Sequence, residues 1–379
     1  MVTAASVVAA VGTVAGLVSA LDDRGGGTDR ARPEASRTPA LEPLPAVPSP
    51  TAAPHTRKPK PSPSKSSSAA KGKPRPGPVP SSARPQPSGP PAAANRLYRH
   101  GDSQVLDWVR AHRGDPRRPL IESRIAARPA AVWFADYRPG TITARVRAVT
   151  SAASGRVPVL VPYAIPDRDC GGASQGGAPD LAAYDAWIEK FAAGLGSGEV
   201  IVILEPDALA QTECLSRAGR AERYASLARA GRVLKAADPR ARVYFDAGHS
   251  GWHAPAAQAA RLRSAGAASP ASSDGIFTNV SNFQGTGAEV AYARRVLAAL
   301  GGPASLGAVI DTSRNGNGAP ADGEWCDPGG RGLGRAPTPA TGEPRIDGYL
   351  WVKLPGESDG CAGEPGTFAP QYAYDLARG

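Results

Sequence analysis

The stretch Val200-Ile201-Val202-Ile203-Leu204-Glu205-Pro206-Asp207-Ala208-Leu209 limits the fold more than any other part of the chain. Its first half is an unbroken apolar, largely β-branched run of strand length. Such a run fits a parallel strand covered on both faces. Two carboxylates follow, with a proline between them. Proline donates no ladder hydrogen bond, so the strand is expected to end at Glu205. Asp207 then lies just past a carboxyl end, on the rim where parallel α/β folds do their chemistry. Aspartate also favours helix N-caps. Taken alone, the segment fits either role.

Similar runs recur. Strands are expected at 131–134, 157–163, 200–204, 241–245, 275–278, 306–310 and 346–352. Helices are expected at 144–153, 181–195, 217–237, 254–264 and 289–300, after helical turns around Asp115-Pro116. In 181–195, Tyr184, Trp187, Ile188 and Phe191 share one face. Repeated βα units mean a parallel sheet carrying helices. About 280 residues suit one α/β domain, a (β/α) barrel. The alternative is an open doubly wound sheet.

The region before residue 96 differs in kind. Residues 2–21 hold no charge and are apolar or small. They read as a membrane-spanning anchor or as a secretory signal with Val18-Ser19-Ala20 as its cleavage site. Either one exports the chain. Residues 22–95 are rich in Pro, Ser, Ala, Lys and Arg, which predicts a disordered, semi-extended linker. The linker carries 12 Lys/Arg against 5 Asp/Glu, whereas 96–379 carries 32 against 29. The net charge of +10 is therefore mostly a property of the linker and does not argue for nucleic-acid binding. The four cysteines, Cys170, Cys214, Cys326 and Cys361, form no C-x-x-C. In an exported chain an even count favours two disulfides, with three connectivities open.

Polar residues follow almost every expected strand. They are Tyr163, Asp167, Arg168 and Asp169; Glu205 and Asp207; Asp246, His249 and Trp252; Asn279, Ser281 and Asn282; Asp311, Arg314 and Asn315; and Lys353, Glu357 and Asp359. Clusters repeated along one rim predict a functional cleft rich in carboxylates, suited to acid/base chemistry. No P-loop, nucleotide-binding Gly-rich turn, H-E-x-x-H or G-x-S-x-G is present, and no metal or cofactor is expected. Trp133, Trp252 and Trp325 beside these acids suit the faces of sugar rings. Trp187 and Trp351 read as core.

Five segments together resemble glycoside hydrolase family 6. They are Tyr163-Ala-Ile-Pro-Asp-Arg-Asp-Cys170, Leu204-Glu-Pro-Asp207, Asp246-Ala-Gly-His-Ser-Gly-Trp252, Asp311-Thr-Ser-Arg-Asn-Gly-Asn-Gly318 and Lys353-Leu-Pro-Gly-Glu-Ser-Asp-Gly360. The likeness runs from about Tyr98 to the C-terminus. It implies a distorted barrel of about seven parallel strands that hydrolyses internal β-1,4-glucosidic bonds of cellulose or soluble β-glucan with inversion.

By the same resemblance, Asp207 is the general acid and Asp169 the neighbour that raises its pKa. Asp246 and Asp359 are further catalytic acids, with Asp359 in the place of the base. Tyr163 presses on the sugar at the cleavage point. Lys353 and Glu357 hydrogen-bond that sugar, and Trp133 and Trp325 are stacking platforms. His249, Trp252 and Asn282 complete the substrate-facing set. The implied disulfides are Cys170–Cys214 and Cys326–Cys361. The expected partner is a β-1,4-glucan or cello-oligosaccharide bound by a monomer. Rival readings are a non-catalytic glycan-binding barrel, an exo-acting cellobiohydrolase and a metal-dependent barrel hydrolase. Moderate loops at 311–351 and 353–359 favour an open cleft over a tunnel.

Overall fold

The computed structural model describes residues 96–379. The expected export segment 1–21 and linker 22–95 lie outside the described residues. Seven strands form one sheet: β1 (Val132–Phe134), β2 (Val159–Pro162), β3 (Val200–Leu204), β4 (Ala241–Asp246), β5 (Gly275–Thr278), β6 (Gly307–Asp311) and β7 (Ile346–Leu350). They lie side by side in chain order and every pair is parallel. A doubly wound sheet reverses its strand order at a switch point. This sheet has no reversal, so the barrel-type winding is the one adopted.

Helices α1 (Gln104–Ala111) and α2 (Arg118–Ile121) precede β1, and α2 runs on into a π-helical turn at Glu122–Ala126. Helices α3 (Ile142–Ala152), α4 (Leu181–Ala192), α5 (Arg217–Ala237), α6 (Pro255–Ser264) and α7 (Thr286–Leu300) follow β1 to β5 in turn. Asp180 caps α4 by accepting from Ala183 N–H at 2.7 Å, and Ser216 caps α5 through Gly219 N–H at 3.0 Å. A long loop joins β6 to β7, and α8 (Pro370–Arg378) closes the chain.

The apolar run of β3 is buried on both faces. Val200, Val202 and Leu204 pack outward against α4 and α5 through Trp187, Phe191, Leu227 and Leu234. Ile201 and Ile203 point inward with Val159, Val161, Tyr244, Phe277 and Val309. Period-two alternation, invisible in an all-apolar run, is thus present in the packing. Trp187 and Trp351 are core residues, as expected.

The ends of several elements differ from the sequence reading. β4 and β6 each run one residue past their apolar pattern. Asp246 and Asp311 therefore stand in the ladder beside Phe277 and Leu350. The second strand is shorter than 157–163, because Pro158 supplies no N–H and Val157 pairs with Leu97 instead. α7 begins at Thr286, ahead of its first large apolar residue. α8 was not expected, although Tyr372, Ala373, Leu376 and Ala377 recur at helical spacing and form its buried face.

β1 and β7 are the sheet's two edges. They are tied by Ala131 N–H to Trp351 O at 2.9 Å and by the Trp133 indole N–H to Val352 O at 2.7 Å. Beside that seam α1, α2 and α8 bury Val105, Trp108, Ile121, Ile125 and Ala373 with Trp351 and Leu354.

One glycine is fixed by the ladder itself. Gly275 opens β5 at φ +144°, and a Cβ there would sit 1.8 Å from Gly307 O. Gly275→Ala is expected to destabilise the protein by more than about 2 kcal/mol. The urea unfolding midpoint measures it, and an unchanged midpoint would contradict this packing.

Candidate active site

Ten non-glycine residues among those described adopt positive φ. Eight of them lie on the loops at the carboxyl ends of the strands: Asp167, Asp169, Cys170, Glu205, Asp207, Asn279, Ser281 and Asp327. Left-handed backbone costs about 1 kcal/mol or more for such residues, so its concentration on one rim marks that rim as the site.

The rim carboxylates fall into two kinds. Glu205, Asp246 and Asp311 are buried and spent on backbone donors. Glu205 accepts from Ala164 N–H and Ile165 N–H at 2.9–3.0 Å, and burial raises its pKa to about 7 against the pull of those donors. Asp246 accepts from Ala210 N–H at 2.8 Å, Leu209 N–H at 3.1 Å and Gly248 N–H at 2.8 Å. Asp311 accepts from Ser313, Lys353 and Ser281 N–H at 2.9, 3.0 and 3.3 Å. Each therefore pins the backbone of neighbouring loops.

Asp169, Asp207, Glu357 and Asp359 form the other kind and line a shared open cleft of about 1050 Å³. Tyr163, Trp133, His249, Trp252, Asn282, Trp325 and Lys353 line it too. Of the acids given a role by the resemblance, Asp246 alone does not line this cleft. Its three N–H partners turn its carboxylate into the loop that follows Asp207.

Asp207 sits at φ +67° three residues past β3. Burial, then the charges of Asp246 and Asp169, push its pKa well above the usual carboxylate value, and among the described residues no donor stabilises its anion. The backbone beyond it is fixed by Asp246 and by His253, whose Nε2 meets Ala210 O at 2.8 Å. Asp169 folds back on its own loop, where Oδ2 accepts from Ser174 N–H at 2.7 Å. Gly172 makes that possible, since a Cβ there would lie 2.6 Å from the same oxygen.

Tyr163 is held by two rings of contact. Trp133 meets it edge-on at 5.2 Å and the Arg168 guanidinium covers its face at 4.4 Å. Burial raises its phenol pKa, so the hydroxyl keeps its proton. Burial lowers His249 to about 4, and its Nδ1 accepts from Gly251 N–H at 3.2 Å. The neutral ring then carries its proton on Nε2. Across the cleft, Asp359 Oδ2 accepts from Arg314 at 2.6 Å, while Lys353 Nζ lies 3.2 Å from Oδ1. Glu357 is raised to about 7 by burial, with Lys353 and Arg314 pulling the other way. Trp325 is 59% exposed at the cleft edge, whereas the other tryptophans are at least partly covered.

The bridges Cys170–Cys214 and Cys326–Cys361 are both formed, with the pairing that the resemblance implied. They tie the loops carrying Asp169 and Asp359, at roughly 2–4 kcal/mol each.

Residues 89–377 match the family model described as glycosyl hydrolases family 6. The chain belongs to that family. Among curated family 6 relatives, Endoglucanase 1 of Streptomyces sp. (strain KSM-9) is 55% identical over 75% of this chain and 78% of its own length. Endoglucanase A of Thermobispora bispora is 51% identical over 74% of this chain and 61% of its own. The solved endoglucanase Cel6 of Mycobacterium tuberculosis, in complex with methyl-cellobiosyl-4-deoxy-4-thio-β-D-cellobioside, superposes with a TM-score of 0.69 at 39% identity. That match covers 76% of this chain and 97% of the other.

Three residues of this family 6 site were given no role by the sequence. Arg314 is fully buried between Asp359 and Asp327, and one arginine among many in the chain gives no warning of that. Asp327 sits in a Gly/Pro-rich loop that reads as surface. His253 is four residues from His249, a spacing that suggests a metal pair before it suggests a backbone contact.

Asp246 and Asp207 should separate on mutation. Asp246→Asn leaves buried N–H groups mismatched and is expected to lower stability by about 1–3 kcal/mol. Asp207→Asn replaces a carboxyl whose protonated form burial already favours, strands no backbone donor, and should not lower it. Paired thermal melts measure the difference, and equal melting temperatures would contradict the division.

Proposed function

We propose that this chain hydrolyses internal β-1,4-glucosidic bonds of cellulose or soluble β-glucan with inversion, Asp207 acting as general acid. The observation that carries the assignment is the state of Asp207. It is a cleft carboxyl whose pKa is raised by burial and then by Asp246 and Asp169, with no donor among the described residues to hold its anion, so its protonated form is favoured. A neutral acid can protonate the leaving glycosidic oxygen.

Inversion needs a water on the opposite face of the sugar and a carboxylate to receive its proton. Asp359 is the acid we assign there, across the cleft and braced by Arg314 and Lys353. As the C1–O bond breaks, the proton of Asp207 passes to the departing 4-hydroxyl and water bonds to C1. Asp359 takes up the water's proton, directly or through further water. Tyr163 would press on the sugar at the cleavage point, with Trp133, His249, Trp252, Asn282, Trp325, Lys353 and Glu357 lining the path of the glucan. Asp246 supports Asp207 by its charge and by holding the following backbone.

An open cleft with an exposed Trp325 at its edge supports cutting within chains. So does the named activity of the relatives described above. A cellulase named Exoglucanase-6A, from Humicola insolens, is 28% identical, a more distant match. We further propose that residues 1–21 direct export, that 22–95 serve as a linker to a catalytic domain from residue 96, and that the enzyme acts as a secreted monomer. Two disulfides in the domain support an oxidising destination. Among the described residues no helix is long and apolar enough to cross a membrane.

Asp207→Ala is expected to lower hydrolysis of carboxymethyl-cellulose by at least about 1000-fold while cello-oligosaccharide binding persists. Reducing-sugar assays and calorimetry check this, and full activity in the variant would refute the assignment. NMR of fresh products should show the α-anomer. A fast fall in viscosity relative to reducing ends should mark internal cutting.

The pH dependence has a definite sign. Asp207 must be protonated, so activity falls as pH rises through its raised pKa. Asp169→Asn removes one of the charges that raise it. The alkaline limb of kcat/KM should therefore move to lower pH. A limb that stays in place or moves upward would exclude Asp169 from that role.

A further inference from the structure

Asp359 is not held by its cations alone. Its loop is organised around a second carboxylate, Asp327, which the reaction scheme above leaves unused. Asp327 Oδ1 accepts from Asp359 N–H at 2.8 Å. Its Oδ2 accepts from the Ser358 hydroxyl at 2.6 Å, Ala362 N–H at 2.9 Å and Cys361 N–H at 3.1 Å. Its own N–H donates to Asp359 Oδ2 at 3.2 Å. Residues 358–362 thus wrap around one carboxylate through four donors. Three of these donors converge on Oδ2 and one on Oδ1, so both oxygens are engaged and the orientation of Asp327 is fixed. Burial works against its charge, but the Ser358 hydroxyl and the backbone donors prevail and hold its pKa below the usual value.

The consequence reaches the cleft. Asp359 Oδ2 is filled by Arg314 and Asp327 N–H, and Oδ1 is approached by Lys353. Roughly one acceptor position, on Oδ1, is left for a water or a sugar hydroxyl. We propose that Asp327 is a positioning residue for Asp359, setting the loop so that this last position faces the cleft. The proposal rests on the reading of Asp359 as the base. The Cys326–Cys361 bridge joins the same two segments at one point, and Ser358 is also tied to Thr367 and Gly366 through its backbone. Asp327 is the group that binds Ser358, Asp359 and Cys361 at once.

The test uses the full chain with Asp327→Asn, Asp359→Asn and the double variant. An asparagine cannot offer acceptors on both sides, so at least one donor loses its partner. Displacement of a reacting group by a fraction of an ångström to 1 Å is expected to lower kcat by about 10- to 100-fold. KM should stay within about twofold, because the aromatic platforms are untouched. Where Asp327 acts through Asp359, the double variant loses no more kcat than Asp359→Asn alone. Multiplying losses would overturn the proposal, as would wild-type kcat in Asp327→Asn. An active Asp359→Asn would instead remove the base assignment, which is a separate outcome. Should Asp327→Asn fail to fold, Ser358→Ala removes one of the four donors to Asp327, along with the acceptor of Gly360 N–H, and should show a smaller loss confined to kcat, about 3- to 10-fold. Unchanged kcat in that variant would also overturn the proposal.

Discussion

Buried carboxylates accepting backbone N–H bonds hold the catalytic rim in shape. Glu205, Asp246 and Asp311 stand at or just beyond the ends of β3, β4 and β6, and each reaches to the loop of a neighbouring element. Loops over a barrel mouth have few backbone partners of their own. An unpaired buried N–H costs about 1–3 kcal/mol, so these anions replace the ladder where it stops. They also fix loops whose residues adopt left-handed backbone. Asp207 depends on this arrangement. Its φ of +67° and its lack of donors are tolerable only because Asp246 and His253 hold the next turn.

The same residue type therefore does opposite work a few ångströms apart. A carboxyl that is given donors becomes structural, and one that is denied them becomes an acid. Asp359 is intermediate, since two cations and one N–H leave it little spare capacity. Glu357, raised to about 7 by burial, shows how far the cleft walls alone can shift a carboxyl.

Much of this was legible in the sequence. The run 200–204 announced a strand buried on both sides, and the recurrence of such runs with helices between them announced the winding. The five motifs named the family and brought Asp169, Asp207, Asp359, Tyr163 and the tryptophans to one groove. What stayed hidden was which acids face inward. Asp246 and Asp207 each follow an apolar strand, and spacing cannot say that one will be consumed by three N–H groups. Asp327 and Arg314 were hidden because their partners lie across long stretches of chain, and pairing at that separation leaves no local pattern. Strand ends were misjudged where an aspartate continued the ladder, since polar character reads as termination.

The seam between β1 and β7 is closed by bonds from Ala131 and Trp133, so a polymer does not enter between those strands. What lies open is the groove above them, with Trp133 on one side and Lys353 and Glu357 on the other. A roofed channel admits a long strand only by its tip, as thread enters a needle. A groove without a roof lets the strand be laid in sideways at any point along its length, and lets both severed halves lift out without being pulled through.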